Sequence, residues 1–207
     1  AWGKLSSNPM KSIRSLKVSP GRLRFLEKEE MVKLLANCTK NLKPIVVLAL
    51  FTGMRRGEIL GLKWHDVDYK RGIITLLDTK NGEKREVPMN EQVKTALIGV
   101  RKHPDTAYIF CNAQGRPVHD IRKSYSTALR KSGITNFRFH DLRHTFASQL
   151  VMSGIDLNTV RELMGHKDIT MTLRYSHLAP SHKQRAVDIL GKKVDTFWTL
   201  SPKSEIS

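Results

Sequence analysis

The sequence predicts an α+β domain, mostly α-helical, with one small three-stranded antiparallel sheet at its edge. Three observations predict it. Apolar residues recur at helical spacing on both sides of residues 67–88. Within 67–88 the period changes: Val67-Asp68-Tyr69, Ile73–Leu77 and Lys84–Pro88 have strand character, and Asn81-Gly82 supplies a hairpin turn whose two positions tolerate positive φ. Finally, 207 residues at 40% apolar content suffice to bury a core without staples.

The elements follow in order. Residues 1–21 are polar and basic, with Pro9, Pro20 and Gly21, and predict a linker or arm before a folded unit at 22–180. From Leu26 to Ala36, Met31, Leu34 and Leu35 share a helical face, with Glu27, Glu29 and Glu30 at its N-terminal, dipole-positive end. Pro44 opens a second helix, apolar almost all round through Ile45, Val46, Leu48, Ala49 and Leu50. Thr52-Gly53-Met54-Arg55-Arg56-Gly57-Glu58 then forms a glycine-flanked turn into a short helix to about Leu62. After the sheet come a helix at about 91–101, an extended piece at Tyr108–Phe110, and a helix to Lys131 with Asp120 as its N-cap. Gly133-Ile134 and Gly154-Ile155 have the form of left-handed C-caps with an apolar contact. Between them a helix carries His140, with Leu142, Phe146, Gln149 and Leu150 as its inward stripe. A helix at Leu157–Met164 stops at Gly165, leaving His166 just beyond, and Asp168 caps a helix expected to carry Tyr175. Residues 181–207 form a C-terminal helix and tail whose Phe197, Trp198 and Leu200 are too apolar for a free end. They are expected to pack on a neighbouring protomer, or to fold back on their own domain.

Charge narrows the function classes. Lys and Arg number 36 against 19 Asp and Glu, for a net +17 spread along the chain. A whole face is then positive, the electrostatic footprint of a nucleic-acid binder. Cys38 and Cys111 stand in unrelated contexts and make neither a disulfide framework nor a metal knuckle, so both are expected as buried, reduced thiols. No apolar run approaches the roughly 20 residues of a membrane span.

The chemistry concentrates between Phe139 and Tyr175. His140 and Arg143, three apart, share one side of a helix and make an anion site, for which phosphate is the natural tenant because the Arg fork grips two oxygens. His166 adds a donor, and Tyr175 a hydroxyl able to attack phosphorus. Arg55, directly after a buried helix and beside a glycine turn, either points into that site or is a surface arginine. Lys80, near the Asn81-Gly82 turn, is placed to reach into a groove, unless it is an ordinary loop lysine.

Together these pieces resemble the catalytic domain of the tyrosine recombinases, the phage-integrase family. The resemblance is carried by Thr52–Glu58, Thr79-Lys80-Asn81-Gly82, His140-Asp141-Leu142-Arg143-His144-Thr145, Leu163-Met164-Gly165-His166 and Arg174-Tyr175. It implies cleavage and rejoining of double-stranded DNA through a 3′-phosphotyrosine, without metal or other cofactor, by several protomers assembled on DNA in a bacterial or phage-type cytoplasm. It also implies that residues 1–21 trail a separate core-binding domain. The implied catalytic set is Arg55, Lys80, His140, Arg143, His166 and Tyr175. Arg55 and Arg143 clamp the non-bridging oxygens, His166 donates to them and Tyr175 attacks. Nearby cations favour the Tyr175 phenolate, and His140 accepts its proton or positions it. Lys80, or Lys84 on the same hairpin, protonates the departing 5′-oxygen, while Glu58 holds an arginine.

Other readings fit less of the chain. His140 and His144 are four apart as in zinc peptidases, but Asp141 replaces the usual Glu and Arg143 would sit beside the cation. Asp66, Asp68 and Asp78 surround the sheet without an evident phosphate site for a metal nuclease. A type IB topoisomerase would share the chemistry, and a non-catalytic DNA-binding module would share only the charge.

Overall fold

The computed structural model describes residues 23–77 and 84–180, together with 187, 188 and 191. Lys80, the Asn81-Gly82 turn, residues 1–21 and the apolar tail segment lie outside the described residues.

The elements run α1 (Lys28–Asn37), α2 (Lys43–Thr52), α3 (Arg56–Leu60), a 3-10 turn (Trp64–Asp66), β1 (Val67–Asp68), β2 (Ile73–Leu77), β3 (Lys84–Pro88), α4 (Glu91–Ile98), α5 (Arg122–Lys131), α6 (Asp141–Met152), α7 (Leu157–Met164), α8 (Thr170–Leu173) and a final 3-10 turn (Ser176–Leu178). The α+β class holds, with one antiparallel sheet in the order β1-β2-β3.

The apolar helix α2 is the axis of the molecule. Pro44 through Leu50 and Thr52 are all buried, and α4 and α6 pack against it. A helix apolar all round has no solvent face to lose, so it takes the centre. In the sheet, Ile74 pairs with Val87 on the inner face, and both are buried. Burial of each such side chain contributes roughly 1.5–3 kcal/mol. Strand alternation puts Arg85 on the same inner face as Val87, opposite Leu76.

A second, smaller core gathers Ala147, Val151, Val160, Met164 and Tyr175, between α6, α7 and the segment after α8. The extended piece before α1 crosses α6: the Leu26 amide donates to Thr145 Oγ1 at 3.0 Å and Gln149 Nε2 donates to Leu26 O at 2.9 Å.

Several expectations need correction. Helix α5 is capped by Ile121; Asp120, one residue earlier, accepts from the Arg122 amide at 2.8 Å in an Asx turn. Helix α6 has no single inward stripe. Leu142 through Thr145, Ala147, Ser148 and Val151 are buried, because α2, α7 and the Leu26 strap enclose it, while Phe146 and Leu150 are half-buried. Tyr175 lies on no α-helix: α8 ends at Leu173, and Tyr175 sits at the joint before the 3-10 turn. Helix α4 ends at Ile98, and Tyr108 makes one isolated bridge with Lys63. Cys38 and Cys111 are free but only half-buried, and burial pushes the Cys38 thiol up to about 11. Both C-caps occur as expected: Gly133 and Gly154 have φ of 68° and 85°, and Ile134 and Ile155 donate back to Leu129 O and Leu150 O.

Candidate active site

Two helix ends build the cation site. Helix α2 closes on Gly53 at φ 64° and helix α7 on Gly165 at φ 62°. Both are left-handed positions, and neither tolerates a side chain. A Cβ on Gly53 would stand 2.4 Å from the Phe146 ring, and one on Gly165 would stand 2.4 Å from Arg85 Nη1. The free carbonyls of a helix C-terminus carry partial negative charge and attract a cation. Arg143, on α6 and 3% exposed, fills that position: it donates through Nη1 to Gly53 O and through Nη2 to Met164 O. Burial, then Arg55 and Arg85, holds its guanidinium down to about 10, still charged at neutral pH.

Arg55, the N-cap of α3, comes to the same place from the other side. Its side chain remains 47% exposed; Nη1 donates to Glu58 Oε1 at 2.8 Å and Nη2 to Gly165 O at 3.5 Å. Glu58 also accepts from the Arg55 amide at 2.8 Å and from Arg85 Nη2 at 2.9 Å. Glu58 therefore holds arginines, and it holds two. With Arg143, the cluster sets three guanidinium groups against one carboxylate, which leaves a surplus of positive charge open to an anion on the Arg55 side.

His166 follows Gly165, with Nδ1 2.9 Å from the buried Thr172 hydroxyl. Burial, then Arg143 and Arg55, holds it down to about 4, so the ring is neutral at physiological pH. A donor facing the cation site through Nε2 requires Nδ1 to accept from Thr172, which this contact accommodates.

Tyr175 is 0% exposed, with its hydroxyl 2.6 Å from Nδ1 of His144. Burial holds His144 down to about 4, with His140 and Arg174 adding to the effect, so the ring that shares this hydrogen bond is neutral. The Tyr175 phenol is pushed up to about 12: burial outweighs the opposite pull of Arg174 and Arg143. Arg174 and Arg143 do favour the phenolate, as expected, but in this state desolvation of the anion is the larger effect.

His140 stands at the N-cap of α6, not within the helix, and meets His144 edge-on at 5.0 Å between ring centroids. Its imidazole is lowered by burial and by Arg143. His144, one residue beyond Arg143, holds the phenol instead. The signal for it was present: His144 is one turn from His140, on the same side of the helix. Arg85 and Thr172 had no such signal, because only the β2–β3 register and the turn after α7 bring them in.

Of the six candidates, Arg55, Arg143 and His166 converge on the end of α7, and Tyr175 and His140 meet at His144. Lys80 lies outside the described residues, and Lys84 is exposed on β3. The carboxylates of the nuclease reading are used locally: Asp66 accepts from the Lys63 amide at 2.8 Å and Asp68 from the Arg71 amide at 2.9 Å, while Asp78 is outside the described residues. Among the described residues, no three His, Cys, Asp or Glu side chains gather as a ligand set. Nor, among these residues, is any helix long and apolar enough to cross a membrane.

Comparison with known proteins bears on this arrangement. The shufflon-specific DNA recombinase of Escherichia coli is 33% identical over 183 residues, covering 86% of this chain and 46% of that protein. The integrase of Haemophilus phage HP1 is 33% identical over 190 residues, covering 88% of this chain and 52% of that one. The chain thus spans about half the length of these relatives. Among solved structures, the catalytic domain of bacteriophage HP1 integrase superposes with a TM-score of 0.64 at 32% identity, covering 81% of this chain and 95% of that domain. Residues 24–182 match the model of the phage integrase family, and the chain belongs to that family.

Proposed function

We propose that this chain is the catalytic part of a tyrosine-type site-specific DNA recombinase. It cleaves one strand of duplex DNA through a 3′-phosphotyrosine on Tyr175 and reseals it to another strand. The observation that carries the reading is the meeting of Arg55, Arg143 and His166 at the end of α7, in a chain where the tyrosine stands nearby, held by a histidine.

The scissile phosphate binds on the open side of Arg55 and is shared with Arg143. Their charges oppose the charge that builds on the non-bridging oxygens as phosphorus becomes five-coordinate. His166 donates to the same oxygens. The Tyr175 oxygen attacks phosphorus as His140 takes its proton, and the bond to the 5′-oxygen breaks as that oxygen receives a proton from Lys80. The ester stores the bond energy, so the 5′-hydroxyl of a second strand can reverse the step. A hydroxyl 0% exposed cannot reach a phosphate, so Tyr175 must leave His144 when DNA binds.

The proposed catalytic unit is residues 22–180, acting in the cytoplasm on double-stranded DNA with further copies of the chain. The net charge of +17 and the similarity to a DNA recombinase and to an integrase support this partner. The test uses a nicked suicide duplex bearing a candidate site, on which the wild type should form a denaturant-resistant protein–DNA adduct. Tyr175→Phe should form none while binding DNA nearly as well, and the size of the shifted complexes reports self-association. An adduct that persists in Tyr175→Phe would refute the nucleophile.

A further inference from the structure

Helix α7 ends in three consecutive carbonyls, and each accepts from a different arginine. Leu163 O takes Arg85 Nη1 at 3.1 Å, Met164 O takes Arg143 Nη2, and Gly165 O takes Arg55 Nη2 at 3.5 Å. Two of these arginines form the proposed phosphate clamp. The third comes from the sheet, through a register that turns Arg85 inward beside Val87. Its two Nη groups are occupied, one by the α7 carbonyl and one by Glu58 Oε2 at 2.9 Å, and its side chain is only 20% exposed. Unlike Arg143, whose two partners are neutral carbonyls, it is paired with a carboxylate, which offsets its charge. It does bind both of the supports of Arg55: Glu58, which holds the Arg55 guanidinium and amide, and the end of α7. Gly165, with no Cβ, is what lets it lie against that turn.

We propose that Arg85 is a positioning residue for the phosphate clamp, acting through Glu58 and the C-terminus of α7 to set the placement of Arg55 relative to Arg143. Glu58 cannot do this alone. Without Arg85 its carboxylate has one fewer fixed donor and follows the exposed Arg55 side chain instead of directing it. The Leu163 carbonyl also loses a partner at the turn that carries Gly165 and His166. Arg85 further ties β3, the strand that follows Lys80 in the chain, to the same turn.

This inference rests on the proposed recombinase reading, and the experiment separates the two. Wild type, Arg85→Ala and Arg85→Lys are compared for adduct formation on two suicide duplexes. One has an ordinary scissile phosphodiester, and the other a methylphosphonate, in which a neutral methyl replaces one non-bridging oxygen and the clamp has less charge to oppose. Arg85→Ala should cleave the phosphodiester about 10²-fold more slowly, the scale of an ångström-level misplacement of a catalytic group. Its DNA affinity should stay close to wild type, and its thermal midpoint should fall by only a few degrees, for one freed carbonyl and one part-buried ion pair. On the methylphosphonate the deficit should shrink to below about tenfold, and Arg85→Lys, keeping one of the two bonds, should fall between. If Arg85→Ala proves unfolded, Glu58→Gln takes its place, with the same pattern expected. A wild-type rate in Arg85→Ala, or an undiminished deficit on the methylphosphonate, overturns the positioning role while leaving the recombinase reading standing. No adduct from the wild type on either duplex overturns that reading and this inference with it.

Discussion

The bond between Tyr175 and His144 allows a quantitative test by a double-mutant cycle of Tyr175→Phe and His144→Leu. Both groups are buried, at 0% and 9% exposure, and their polar atoms lie 2.6 Å apart. His144→Leu leaves the phenolic hydroxyl of a fully buried side chain without its partner. An unsatisfied buried group of this kind costs about 1–3 kcal/mol. Tyr175→Phe similarly strands Nδ1 of His144. The double variant removes both polar atoms, so it should cost about 1–3 kcal/mol less than the two single costs together. At roughly 2–4 °C per kcal/mol for a chain of this length, the gap is resolvable by thermal unfolding. The assay is urea and thermal denaturation of the four proteins at pH 7.5, where His144, at about 4, is neutral. Costs that add to within about 0.5 kcal/mol would show that the two side chains do not restrain each other. The resting lock on the nucleophile would then have to be sought elsewhere.

Two further outcomes are expected. His144 and His166 are both held at about 4 against an ordinary 6.5, so the unfolded chain takes up their protons first as pH falls. Stability attributable to them is whole above about pH 6.5 and is lost progressively down to about pH 4; the depression at His144 corresponds to on the order of 3 kcal/mol and the more exposed His166 to less. Urea midpoints at pH 7, 5.5 and 4.5 should fall in that order, with a shallower fall in His144→Leu; an equal fall would remove His144 as a source. Secondly, Arg143 and Arg55 should separate by stability though both serve cleavage. Arg143→Ala frees two enclosed helix-end carbonyls, at about 2–4 kcal/mol, offset in part by relief of repulsion from Arg55 and Arg85. Arg55→Ala removes an exposed ion pair, at about 1 kcal/mol or less. Thermal unfolding beside adduct yield distinguishes them, and an Arg143→Ala protein as stable as Arg55→Ala would contradict the carbonyl bonds.

Patterns local in the chain carried much of this protein's architecture. The all-apolar run 45–50 could only be a central helix, and the stops at Gly133, Gly154 and Gly165 were readable because a left-handed residue is needed there. The order of Arg55, His140, Arg143, His166 and Tyr175 was readable too, as was the three-stranded sheet. Local pattern failed where a partner distant in sequence decides the outcome. His144 rather than His140 holds the phenol because the joint after α8 delivers Tyr175 to that turn of α6. Arg85 is a structural neighbour of Arg55 only because the strand register turns it inward. Burial overrules the nearby cations at Tyr175, since desolvation depends on everything packed around a group, including residues no spacing rule reaches. Covalent order thus determined which elements form and which reactive side chains they carry. Tertiary packing decided which of those atoms meet, because hydrogen bonds and dielectric act across space, and the chain specifies space only once it has folded.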